Sequence, residues 1–194
     1  HYSLLQVLNE AGIADQVQLL DMQTVDIVAA WERGDIDAAY TWQPSLGSLL
    51  ENGDMLVSSE QVASMGHQTA NVLLARKGFT EQYPELTADF IAALIAGGNL
   101  YRENPEQAAA IVAVPLGITA ENALGQMQGS IWLTAEEEIS EAYMGTSETA
   151  GDFSKVMKAT ADFLLEQGSI TESPSQEEFD AFINPKYIEM YLER

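Results

Sequence analysis

The chain has 194 residues, 46% of them hydrophobic, which is enough to bury a core in one or two small domains. Eight Lys and Arg against thirty Asp and Glu leave a formal charge of −22. That balance excludes nucleic acid and anionic membrane surfaces as partners, because phosphate recognition needs clustered basic side chains. Cysteine is absent, so disulfides, thiolate metal sites and a cysteine nucleophile are excluded as well.

Leu4, Leu5, Leu8 and Ala11 fall at helical spacing from the start of the chain, and Gly12 is positioned to end that helix. Val17 to Met22 reads as a short strand with a loop at its carboxyl end. Thr24 is an expected N-cap for a helix in which Val25, Val28 and Trp31 share a face, stopped by Gly34. Ile36 to Trp42 predicts a second strand, which delivers Trp42 to its carboxyl end, and Pro44 opens a short helix. Met55 to Val57 predicts a third strand and Thr69 to Arg76 a fourth, with Val72, Leu73 and Leu74 as a near-continuous apolar run. The alternation over residues 1–53 is that of a parallel sheet covered by helices.

Beyond Phe79 the pattern becomes almost wholly helical. Thr80 is expected to cap a helix running through Phe90 and Ile95 and broken at Gly97-Gly98. Pro105 sits at a first helical turn and Thr119 opens a further helix. A helix through Phe153 and Phe163 ends at Gly168, and a last helical pair spans Gln176 to Phe182 and Pro185 to Leu192. No run of about 18 apolar residues is present, so no membrane insertion is expected. The opening His1-Tyr2-Ser3, already inside a helical pattern, reads as a fragment or a processed product.

The chemistry-bearing residues point to binding. His1 and His67 stand far apart and outside any zinc-ligand spacing, so no metal site is expected. Glu136-Glu137-Glu138 is most simply the first turn of a helix after Thr134, where acids complement the dipole. Phosphate-cradling glycine loops and a nucleophile elbow are absent, and with them the usual dinucleotide and hydrolase signatures. What remains is neutral polarity and aromatic surface at loop positions: Tyr2, Gln23, Tyr40, Trp42, Gln43, His67, Thr69 and Asn71. From these the candidate ligand-binding set is Tyr2, Gln23, Trp42, Gln43, His67, Thr69 and Asn71. Such groups orient a solute by hydrogen bonds and ring faces, and they contain no nucleophile–base pair. No catalytic residue and no cofactor is expected. The crevice beyond strand carboxyl ends is where small ligands sit in open α/β folds, and Trp42 beside Thr41 and Gln43 would form one wall there. The competing reading has Trp42 simply packing under a loop.

The blocks His1-Tyr2-Ser3-Leu4-Leu5, Ile27 to Trp31, Arg33 to Tyr40, then Trp42 and Pro44, resemble the taurine- and aliphatic-sulfonate-binding proteins of bacterial ABC importers. Ser59 to Val62, Arg76-Lys77, Thr160 to Leu164 and Ile183 to Tyr187 extend the likeness. The resemblance implies a type II periplasmic-binding fold, α/β, with two lobes closing on a solute. Residues 1–63 would form the second α/β lobe. Residues 64–194 would form the hinge return and the largely helical C-terminal part of the first lobe, whose N-terminal part lies outside this sequence. It further implies a periplasmic or extracytoplasmic location and an ABC permease as partner. Sulfonate oxygens would be held by hydroxyls and N–H groups just ahead of His1, and Asn71 stands where taurine binders tend to carry an acid. Two alternatives share the scaffold: an effector-sensing domain of a transcription regulator, and a pyrimidine-synthase-like enzyme, whose cysteine-rich metal motif this chain lacks.

Overall fold

A computed structural model describes residues 2–194, which divide into two units, residues 2–71 and 72–194. In the first, α1 (Tyr2–Glu10) packs on α4 (Ser59–Ser64), and α2 (Thr24–Arg33) packs on α3 (Ser45–Leu49). Local chemistry sets these boundaries. Gly34 closes α2 in the left-handed conformation, φ 72°, returning its N–H to the carbonyls of Ala30 and Trp31. Helix α4 opens with a capping box: Ser58 Oγ accepts from the Gln61 N–H at 3.2 Å, and Gln61 Oε1 accepts from the Ser58 N–H at 2.8 Å. Leu8, Ala30, Leu49 and Val62 form the small buried apolar set. The Trp31 indole lies against Gly53, and its Nε1 donates to Asn52 Oδ1 at 2.6 Å.

The second unit is helical: α5 (Lys77–Gln82), α6 (Pro84–Glu103), α7 (Pro105–Leu116), α8 (Ala120–Met127), α9 (Ala135–Glu138), α10 (Asp152–Glu166), α11 (Gln176–Phe182) and α12 (Lys186–Leu192). Helix α6 is the organising element, packed by α5, α7 and α12. Ile95 of α6, Ala135 of α9 and Ile188 of α12 form one buried cluster, with Ile91, Ile139, Met144 and Tyr191 around it. Ala109, Ala113 and Ala123 form another, where small side chains let α7 and α8 approach closely. Arg102 ties α6 to the following chain, donating to the Trp132 carbonyl and to Glu137 Oε2, both at 2.6 Å. Arg194 returns to Glu85 and Asp89 at the start of α6. No single helix among the described residues is long and apolar enough to cross a membrane.

The helices fall largely where the periodicity places them, with three corrections. The helix expected to begin at a Thr80 cap starts instead at Pro84; Thr80 is buried inside α5 and its hydroxyl donates to the Lys77 carbonyl at 3.0 Å. Proline in a first turn gives up no hydrogen bond, which makes Pro84 the better start. The break expected at Gly97-Gly98 does not occur, and α6 runs on to Glu103. A helical glycine costs only about 1 kcal/mol against alanine, too little to end a helix of twenty residues. Thr24 is the first residue of α2, not its cap; that position falls to Gln23.

The strands differ most. Segments 17–22, 36–42, 55–57 and 69–76 pair into no ladder, and the one bridge among the described residues joins Gly145 to Ala150. A helix closes its hydrogen bonds within itself, whereas a parallel strand exists only beside a neighbour. Within the described chain these segments leave their apolar side chains in solvent: Leu20 is 60% exposed, Leu56 84% and Leu74 71%.

Candidate functional site

All seven candidate residues belong to the first unit. Tyr2 opens α1 and is half-buried; desolvation raises the pKa of its phenol, keeping the hydroxyl neutral. Its Oη lies 3.4 Å from His67 Nδ1, and the two rings meet edge-on with centroids 6.1 Å apart. His67 follows Gly66, whose φ of 95° turns the chain out of α4, and the His67 N–H is held by the Val62 carbonyl at 3.2 Å. The other ring nitrogen, Nε2, faces Glu10 Oε1 at 3.8 Å. Thr69 and Asn71 follow in exposed, irregular chain.

Trp42 is 65% exposed, so its ring is not sealed within the unit. Its two polar neighbours are less open to a solute than expected. Gln43 turns its side-chain carbonyl onto the Gly47 N–H at 3.1 Å, where it caps α3. The Thr41 hydroxyl is buried and makes no hydrogen bond among the described residues. Tyr40, one position further back, contacts Ser59 Oγ through its phenol at 3.3 Å.

Gln23 lies at the mouth of α2 and lines an open cavity of about 470 Å³ together with Asp21, Met22, Asp26, Ala29 and Arg33. Sequence reasoning passed over Asp21, Asp26 and Arg33. The signal was available, since Asp26, Ala29 and Arg33 repeat at helical spacing along one face of α2. Arg33 is the one Lys or Arg in residues 1–71, and Asp35 Oδ2 already holds its Nε at 2.7 Å. A solute anion therefore meets few standing positive charges in this unit. Tyr2 and His67 are brought together; no hydrogen bond or ring contact joins Gln23, Trp42, Thr69 and Asn71 to one another. No three acidic or histidine side chains among the described residues are placed to hold a metal ion.

Comparison with known proteins gives this geometry its setting. Residues 1–113 match the substrate binding domain of ABC-type glycine betaine transport systems, and the chain belongs to that family. The taurine-binding periplasmic protein of Escherichia coli K12 is 35% identical over 181 residues, covering 88% of this chain and 53% of that protein. A Brucella abortus protein described as a binding protein is 27% identical over 133 residues, covering 67% of this chain and 42% of its own. An Escherichia coli K12 protein named for binding aliphatic sulfonates is 26% identical over 121 residues, covering 62% and 37%. The chain thus spans about half the length of the curated relatives it matches. The resemblance read from the Gly34-to-Trp42 block holds across most of the chain, and membership implies the periplasmic-binding-protein fold. The family and these relatives are binding proteins and not enzymes, in keeping with a site that has no nucleophile–base pair. Nothing in these matches supports the regulator or synthase alternatives.

Proposed function

We propose that this chain is part of an extracytoplasmic solute-binding protein that delivers taurine or a related small sulfonate or organic solute to an ABC permease. The match to the taurine-binding protein carries this reading, and the open Trp42 ring is consistent with it. Trp42 covers the short carbon chain or the ammonium group, the latter a cation–π contact of about 0.5–2 kcal/mol. Tyr2, Gln23, His67, Thr69 and Asn71 supply directional hydrogen bonds, with the amide of Gln43 at the edge of the same surface. Asn71 offers a carbonyl oxygen and no charge, which weakens the hold on an ammonium and favours other small sulfonates over taurine.

In this reading residues 1–63 are an α/β lobe and residues 64–194 the hinge return and C-terminal part of its partner lobe. The extended segments 17–22, 36–42, 55–57 and 69–76 are then strands of the family's sheets, which explains why their apolar side chains lie uncovered here. The test is a thermal-shift panel of taurine, alkanesulfonates, sulfate esters and small amines. A solute that binds only the folded state raises the midpoint by mass action. The reading expects at least one sulfonate to do so; a response confined to small amines contradicts it.

A further inference from the structure

Asn52 lies exposed in the turn that follows α3, and in this sequence it alone among the asparagines is followed by glycine. Asn9, Asn71, Asn99, Asn104, Asn122 and Asn184 each precede a residue with a side chain or a proline ring. A backbone nitrogen can add to the side-chain amide carbon of the asparagine before it, closing a five-membered ring, and glycine obstructs that approach least. The reacting atoms are available. Among the described residues the Gly53 N–H makes no hydrogen bond, and neither does Asn52 Nδ2.

Trp31 supplies the activation. Its Nε1 is a donor only, so the atom it meets at 2.6 Å is the Asn52 amide oxygen. Donation to that oxygen draws electron density from Cγ and steadies the negative charge that gathers on Oδ1 when a nucleophile adds. On the same edge of the indole, Cζ2 lies 2.7 Å from where a Cβ on Gly53 would stand, so one ring holds both partners side by side.

We propose that Asn52-Gly53 is a self-modifying site, which deamidates through a cyclic imide whose closure Trp31 promotes. Base removes the Gly53 amide proton, and the nitrogen bonds to Asn52 Cγ as the Cγ–Nδ2 bond breaks and ammonia departs with a proton. Water then opens the imide. Attack at Cγ gives aspartate; attack at the Asn52 backbone carbonyl gives isoaspartate, whose main chain runs through Cβ. One water is consumed and one ammonia released, with no change of oxidation state. An aspartate carboxylate keeps the Trp31 bond and strengthens it by its charge. Isoaspartate carries an extra main-chain carbon beside a glycine that has no slack against the indole, so it loosens the packing of α2 on α3. None of this depends on the solute-binding reading.

The test follows imide and acid formation in the 194-residue protein, folded and in concentrated urea, in mildly alkaline buffer at 37 °C. Peptide mapping by mass spectrometry reads the unaltered protein and Trp31→Phe. Phenylalanine keeps a ring beside Gly53 but lacks the N–H, and circular dichroism checks that the variant folds. Conversion at Asn52 is expected to outrun that at every other asparagine and to proceed at least as fast folded as unfolded. Trp31→Phe should slow the folded protein about three- to tenfold, less than the ~10²–10³ of a buried oxyanion donor because water reaches this site, and leave the rate in urea unchanged. Conversion far slower in the folded protein than in urea overturns the proposal, as does an unchanged or faster folded rate in Trp31→Phe. Should the variant not fold, the folded and unfolded rates of the unaltered protein decide alone.

Discussion

Replacing Gly53 by alanine probes whether residues 1–71 are held by close packing around Trp31. A Cβ built on Gly53 lies 2.7 Å from Trp31 Cζ2 and 2.9 Å from the Leu49 carbonyl oxygen, shorter than side-chain carbons tolerate. Neither obstacle is a loose tip: one is backbone, and the other is an indole fixed by its 2.6 Å bond to Asn52. Something must shift, and overpacking of this kind costs about 1–3 kcal/mol. The same substitution at Gly125, inside α8, puts the new methyl where no heavy atom lies within 4 Å. There alanine gains about 0.5–1 kcal/mol by restricting the unfolded chain. One chemical change thus has opposite signs at two positions. Equilibrium urea unfolding, followed by far-UV circular dichroism with the slopes compared, reads both. Gly53→Ala should lower the midpoint of the first unit and Gly125→Ala should raise that of the second. Movement of both variants in the same direction would refute the packing argument.

Ile188→Ala removes three carbons from the cluster with Ile95 and Ala135. At about 0.8 kcal/mol per buried carbon plus a cavity cost, it should lose about 2.5–4 kcal/mol in the same unfolding assay. Glu137 and Glu178 have pKa values lowered, first of all by the backbone N–H groups of Thr134 and Ser175 that they accept in capping boxes. A depressed carboxylate stabilises above its unfolded pKa and loses that contribution as pH falls through the folded value, so the thermal midpoint should drop on acidification below about pH 4.5. The drop should shrink in Glu137→Gln. Glu138 runs the other way: burial raises its pKa, so its charge opposes folding at neutral pH. Glu138→Gln should therefore raise the thermal midpoint at pH 7 and leave it little changed at pH 3.

Helices were legible in the sequence because their signals are local. Pro105, the Thr119 cap and the Gly34 stop each act within a few residues. Where local signals competed, at Thr80 and at Gly97-Gly98, the helix start was set by Pro84 and the two glycines proved too weak a break to stop α6. Strands could not be settled the same way. The run Val72-Leu73-Leu74 has the composition of a buried strand, but a ladder depends on neighbours that its own sequence does not specify. At the candidate site, the exposure of Trp42 and the pairing of Tyr2 with His67 concern residues that residue type and expected loop position had singled out. The use of Gln43 as a cap arises from chain geometry, and residue type gave little hint of it, whereas the Asp26 and Arg33 side of the cavity beside Gln23 was readable as one face of α2.

Calorimetric titration with taurine and short alkanesulfonates, on the unaltered protein and on Trp42→Ala, decides the matter. Loss of the ring should weaken the bound sulfonate at least tenfold, about 1.4 kcal/mol, through the lost cover of its carbon chain and, for taurine, the lost cation–π contact as well. An unchanged Kd in the variant would remove Trp42 from the binding surface and with it the solute-binding assignment built around that residue.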